Sequence, residues 1–307
     1  MGAPYFTTMS ALSARRSDRS TKAALRRVLA SRLRAGLDEI AAQGEGASLH
    51  ELRKRTKELR GLLRMLRTGL PEFPRMNGQL RDAAAGLSPA RDAEVMLSRF
   101  DGITAGLRDP SSFSGLRACI LSEIDTRRAT ANANALPDYA QVLSELEPDL
   151  AKLKLSDKAS RVIWAGLHDT WARARKRHGQ AQTAYDTDFK AQPFHDWRKS
   201  VKHHWYQARF LSKIAPRKMA KHIAQIDTLG EVLGDHNDLD VMIVFLKTRD
   251  GLSEADRNAR DIFIRHAMTH RRALARRALV LGQDVLEPPP DTLVGQWQTW
   301  WARWREA

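Results

Sequence analysis

The sequence has one cysteine, Cys119, in 307 residues. That excludes an internal disulfide framework and a cysteine-built zinc cluster, and it fits a reducing compartment. No run approaches the roughly 18 uncharged apolar residues of a membrane-spanning helix, so no membrane is expected as a partner. The N-terminus lacks the charge-then-apolar order of a secretory signal, and a cytoplasmic protein is expected. Strand-type alternation of any length is missing, as are the glycine-rich loops that cradle nucleotide phosphates. Acids are in deficit, with 36 Asp and Glu against 51 Lys and Arg, a formal charge of +15. A surplus of that size points to a polyanionic partner. The hydrophobic fraction of 42% is enough for a core and too high for a disordered chain.

Between its prolines the chain has a helical period. Leu25, Leu29, Leu33, Leu37 and Ile40 make one stripe; Leu52, Leu59, Leu62, Leu63 and Leu66 make another. The pattern predicts helices over 18–42, 48–69, 73–107, 111–134, 156–180, 193–213, 216–249 and 252–283, with a short one over 291–305. Pro89 predicts a kink inside the third. Ser48-Leu-His-Glu51 reads as a capping box. Residues 1–17 are expected to be disordered.

The chain also repeats itself. His50-Glu-Leu-Arg53-Lys54-Arg-Thr-Lys57 matches His195-Asp-Trp-Arg198-Lys199-Ser-Val-Lys202 at an offset of 145. The segment Leu87 to Met96 matches Leu233 to Met242 at 146, and Arg117 and Arg128 match Arg265 and Arg276 at 148. Arg27 and Arg34 fall on Arg161 and His168 at 134. These collinear matches indicate duplication of a four-helix unit. The first half spans 18–134, a connector 135–155, the second half 156–283 and a Trp-rich helical tail 284–307.

On a wheel of about 100° per residue, His50, Arg53, Lys54, Lys57, Arg60 and Arg64 share one arc opposite the leucines. His195, Arg198, Lys199, Lys202, Tyr206, Arg209 and Lys213 share the corresponding face, opposite Trp197, His204, Ala208 and Leu211. Glu51 and Glu58 lie at the flank of the first arc. A merely solvated face usually mixes signs for mutual support. A face of one sign, occurring twice, points to a cationic surface awaiting an anion.

The doubled His-x-x-Arg-Lys-x-x-Lys, each copy followed by a Leu-…-Asp-…-Val segment, resembles the CHAD domain. The resemblance implies an all-α fold of two pseudo-symmetric four-helix bundles with a basic groove or cavity between them. It implies binding of inorganic polyphosphate, association with polyphosphate granules and no catalysis. By motif it carries over to His50, Arg53, Lys54, Lys57, Arg60, Arg64, His195, Arg198, Lys199, Lys202 and Arg209. The chain departs from the pattern at Trp205, where the family more often has a basic residue. It also has Ala90-Arg91 before Asp92, against His236-Asn237 before Asp238. The expected site is these residues with Tyr206 and Lys213, and Arg27, Arg34, Arg117, Arg128, Arg161, Arg265, Arg272 and Arg276 are candidates for further basic lining. Polyphosphate offers charge without base or sugar, so a rail of cations one helical turn apart, about 5.4 Å, suits it. An RNA- or DNA-binding module is the alternative; it would interleave exposed aromatics with the cations.

No cofactor and no metal is expected. His168-Asp169 and His195-Asp196 with Asp238 or Asp240 have the look of a metal phosphohydrolase set, but the repeat already explains His195. Asp92 and Asp238 either orient an arginine of the rail or form structural ion pairs. Arg26, Arg32, Arg173, Lys176 and Arg177 read as ordinary solvated charges. Trp297, Trp300, Trp301 and Trp304 form an apolar stripe expected to dock on the bundle or on a second subunit of a homodimer.

Overall fold

The computed structural model describes residues 12–44, 47–87, 89–130 and 134–306, the side chains of 89–92 excepted. These residues are all-α, with eleven helices and no strand among them. In chain order they are α1 Thr21–Gln43, α2 Leu49–Leu63, α3 Phe73–Gly86, α4 Pro89–Thr104, α5 Ser114–Ala129 and α6 Ala135–Lys152. Then come α7 Ala159–Asp186, α8 Gln192–Phe210, α9 Pro216–Lys247, α10 Glu254–Val285 and α11 Pro290–Glu306. Side-chain caps open several of them. Ser20 accepts from the Ala23 amide at 3.1 Å, Ser48 from Glu51 at 3.4 Å and Ser253 from Asp256 at 3.1 Å.

Three stretches differ from the sequence expectation. The helix expected over 73–107 is two helices, because the chain breaks after Gly86 and restarts with Pro89 in the first turn of α4, where a missing N–H costs nothing. The expected connector 135–155 carries α6, whose Tyr139, Leu143, Leu146 and Leu150 are buried against α1 and α3. Of the expected disordered segment, residues 1–11 lie outside the described residues. Leu12 and Ala14 are buried, and the Ala14 amide donates to the Phe210 carbonyl at 2.9 Å. Burial of two apolar side chains there offsets the entropy of ordering that short stretch.

Two hydrophobic cores result, and they do not coincide with the two halves of the chain. The larger one joins the leucine stripes of α1 and α2 with α3, α6, α7, α8, α11 and parts of α9 and α10. The smaller one gathers Met96, Phe100, Phe113, Ile120 and Ile124 with Met242, Ile243, Leu246 and Phe263. Helices α9 and α10 have 32 residues each. At 1.5 Å per residue each runs about 48 Å, too long for one core, so their remote ends build the second. The Trp-rich helix α11 docks on the bundle, with Trp297 buried beside His204 and His222 and Trp301 edge-on to Trp164.

Helix α7 and the turn after α2 meet closely because a side chain is missing where they touch. A Cβ at Gly166 of α7 would lie 2.3 Å from the carbonyl oxygen of Met65, in the 3₁₀ turn Arg64–Leu66 that follows α2. Gly166→Ala is expected to destabilise the protein by about 2 kcal/mol through overpacking against backbone. Gly179→Ala on the same helix meets nothing within 4 Å and is expected to stabilise by up to about 1 kcal/mol. Urea midpoints moving in the same direction for both would contradict this crossing geometry.

Candidate functional site

Helices α2 and α8 cross at Gly61 and Tyr206. A Cβ on Gly61 would lie 2.8 Å from the Tyr206 Cβ, so the backbone of α2 rests directly on the tyrosine. The apolar faces read from the sequence are buried: Leu52, Leu59, Leu62, Leu63 and Leu66 on one helix, Trp197, His204, Ala208 and Leu211 on the other. The helical wheel places Tyr206 on the basic surface. It is buried inside the crossing instead, its hydroxyl pushed up in pKa by burial and by the Glu58 charge. With its centre filled by Tyr206, the basic face of α8 is divided into two edges.

At the first edge Arg60 of α2 turns to α3, and Arg64, just past the end of α2, meets α7 and α8. Arg60 Nε donates to Asn77 Oδ1 at 3.0 Å and Arg64 Nε donates to His203 Nε2 at 3.1 Å. Since His203 accepts on Nε2, its ring is neutral. Burial, and then the charges of Arg64, Arg60, Arg177 and Lys199, hold this imidazole well below its ordinary pKa. Arg177 reaches in from α7 and donates to the Asp196 carbonyl and to Ser200 Oγ, both at 2.8 Å. Burial pulls Arg64 down to about 10, helped by repulsion from Arg60, Arg67 and Arg177. The acids nearby are already engaged: Asp196 with Lys199 at 3.2 Å, Asp169 with Arg173 at 2.7 Å and Arg67 at 3.1 Å, Asp82 with Arg81 at 2.7 Å. Arg60 and Arg64 therefore have neutral hydrogen-bond partners in a field of like charge. Arg53 and Lys57 lie N-terminal to them on the same helix, Lys57 exposed.

The second edge is compensated. Arg209 is buried 3.5 Å from the Glu58 carboxylate and stacks on Trp205 at 4.5 Å. Lys202 pairs with Asp227 at 3.0 Å and lies over the same tryptophan at 4.7 Å. The Arg198 charge lowers the Asp238 carboxyl against the dominant upward push of burial, and Arg99 lies 3.7 Å from the same carboxylate. Asp238 thus acts as an interhelix partner of arginines; the Asp92 side chain is outside the described residues. Glu58, read as a flank residue, is buried with Arg209 and with Arg32 at 3.6 Å. Arg32 is accordingly no ordinary solvated charge, and neither is Arg177.

The other expected residues scatter. His50 is exposed in the first turn of α2, whereas its repeat counterpart His195 is half-buried and donates from Nδ1 to Asn237 Oδ1. Lys54 pairs with Glu51 at 3.3 Å, and Lys213 is exposed beyond the end of α8. Five of the additional cations are in ion pairs: Arg27 with Asp18, Arg34 with Glu147, Arg117 with Asp101, Arg128 with Glu94 and Arg161 with Asp157. Arg265, Arg272 and Arg276 lie exposed on α10, where Arg272 stacks on Tyr185 and Phe189. The residues of the metal set go separate ways: His168 to Asp291 at 3.2 Å, Asp169 to two arginines, Asp240 to Arg271. Among the described residues no group of three or more His, Cys, Asp or Glu side chains is placed to hold a metal, and no helix is long and apolar enough to cross a membrane.

A family model described as the CHAD domain matches residues 23–247. The chain belongs to the CHAD family. Its fold is similar to the crystal structure of the CHAD domain from the plant Ricinus communis, with a TM-score of 0.65 at 23% identity, over 87% of this chain and 93% of that one. It is also similar to PptA from Streptomyces chartreusis, with a TM-score of 0.57 at 16% identity, over 85% and 98% of the two chains. No curated protein matches. The CHAD match contains both motif helices and closes at the end of α9, so the crossing at Gly61 and Tyr206 lies wholly inside it.

Proposed function

We propose that this CHAD protein binds inorganic polyphosphate at the crossing of α2 and α8, as a binding module without catalysis. The observation that carries the reading is the first edge: Arg60, Arg64, Arg177 and Lys199 surround a neutral His203. Arginine forks take phosphate oxygens in pairs, and lysine adds a point charge. Lys199 has Asp196 beside it, but Arg60, Arg64 and Arg177 donate to neutral groups, and bringing them together is unfavourable until an anion answers them. A flexible polyanion does so along its length, with counterion release supplying much of the affinity. The aromatic residues at this crossing are spoken for, Tyr206 by burial and Trp205 by stacked cations, which favours a bare polyanion over a nucleic acid.

The test is competition at physiological salt between long-chain polyphosphate and RNA of equal total charge. Polyphosphate is expected to displace RNA, with a log–log salt slope that falls by about one for each phosphate contact removed. Preferential retention of RNA would transfer the site to nucleic acid. A flat salt dependence would end the electrostatic reading.

A further inference from the structure

The offset of 145 that aligns the two motifs can be followed past them. It carries Gly61 onto Tyr206, Arg64 onto Arg209 and Glu58 onto His203. The crossing thus contains the same contact twice. Arg64, just past the end of α2, reaches His203 of α8 at 3.1 Å, and Arg209 of α8 reaches Glu58 of α2 at 3.5 Å. Chemically the two contacts are opposites. One arginine meets a neutral ring, while the other meets a carboxylate.

Glu58 has the properties of a seated ligand. It is 2% exposed, and its two oxygens are divided between Arg209 and Arg32. A carboxylate offers two acceptor oxygens, as a phosphate group does to an arginine fork. The rest of that edge follows suit, with Lys202 on Asp227 and Arg198 beside Asp238. The first edge has the same backbone frame and the same arginine, but its internal anion is replaced by histidine.

Resting on the polyphosphate reading above, we propose that Glu58 is a built-in occupant of the second half-site, so that each chain presents one polyanion-binding edge, that of Arg60, Arg64, Arg177 and Lys199. Burial pushes the Glu58 carboxyl upward in pKa against the pull of Arg209, Arg32, Lys54 and Arg55, so holding the charge there costs free energy that its arginines must offset. The duplication would otherwise yield two equivalent sites on opposite edges.

Tripolyphosphate, short enough for a single edge, is the probe. Wild-type protein is expected to bind one equivalent by calorimetry, and Glu58→Gln and Glu58→His to bind two. In ¹⁵N-labelled wild type, tripolyphosphate should shift the Nε–H signals of Arg60 and Arg64 and leave those of Arg209 and Arg32 in place. That arm needs no variant and decides the matter even if neither substitution at Glu58 is tolerated. Two equivalents on wild type, equal shifts of Arg64 and Arg209, or one equivalent retained by both folded variants would each overturn the inference. Absence of any tripolyphosphate or polyphosphate binding to wild type would instead remove the functional reading beneath it.

Discussion

Reversing Arg60 and Arg64 together to glutamate is expected to lower polyphosphate affinity by two to four orders of magnitude. Each lost charge-assisted hydrogen bond removes about 1.5–3 kcal/mol, and each tenfold step in affinity is about 1.4 kcal/mol. The reversal also installs repulsion where the ligand runs. The comparison is Lys152→Glu with Lys154→Glu, at the exposed end of α6, a helix packed on α1 and α3. Both double variants change the net charge equally, so long-range attraction falls by a similar amount in each. Arg173 and Arg177 would make a poor comparison, because Arg177 donates to the α8 motif helix and its charge reaches both Arg64 and His203. Fluorescence titration at fixed salt reads the outcome. Equal loss in the two variants would mean that net charge, and not the crossing, binds the polyanion. Because Arg60 and Arg64 are partly buried, Arg60→Gln with Arg64→Gln provides a milder version, expected to lose at least tenfold while removing the charges without reversing them.

The second large effect is a loss of stability as the pH falls below 6.5. His204 and His222 share one hydrogen bond at 2.8 Å between their Nε2 atoms, against Trp171 and Trp297. One ring must donate and the other accept, so the accepting ring is neutral, and burial disfavours charge on the donor as well. Burial holds His222 down to about 4 and, with repulsion from Arg271, His236 down to about 3. Burial and then His222 itself hold His204 well below the ordinary value. The unfolded chain takes up these protons near pH 6.5, while the folded chain refuses them until far lower. Below pH 6.5 the unfolded state therefore binds more protons, and stability falls as pH falls. For His222 and His236 together, two pH units below 6.5 remove about 5 kcal/mol, at about 1.4 kcal/mol per unit for each group. Glu58 and Asp238, with carboxyls raised by burial, gain protons in the fold and offset part of the loss. Urea melts followed by tryptophan fluorescence at pH 7, 6 and 5 measure the slope. His236→Asn should lower it by about one proton's worth below pH 6. A stability unchanged to within about 1 kcal/mol from pH 7 to 4.5 would contradict the buried, neutral state of these rings.

Much of the molecule was legible in the sequence because helix periodicity is local information. A residue's place on a helical face depends on neighbours three and four positions away, and the leucine stripes and the opposing basic arcs are where that rule puts them. The repeated motif was legible for the same reason, being a relation between segments of the chain. Arg60, Arg64 and Lys199 can therefore be placed on the basic faces from the sequence alone. What a helical wheel leaves open is what stands opposite each face. Glu58 lies on the flank of the α2 wheel, and only the packing of α8 and α1 on α2 buries it against Arg209 and Arg32. Arg177 reads as a surface charge until α7 packs beside α8, and His203 has no role until it faces Arg64. Helix α6 was hidden by its proline, Pro148, and by its place between the repeats.

The sequence by itself determined the all-α class, the helix faces, the repeat and the excess of positive charge. The tertiary structure alone decided which cations have an internal counter-charge and which do not. Coulomb energy depends on distance in space and on exclusion of water, and neither is set by separation along the chain. Arg64 and Arg209 hold equivalent places in the repeat, yet one faces a neutral ring and the other a buried carboxylate, each contributed by the opposite half of the chain.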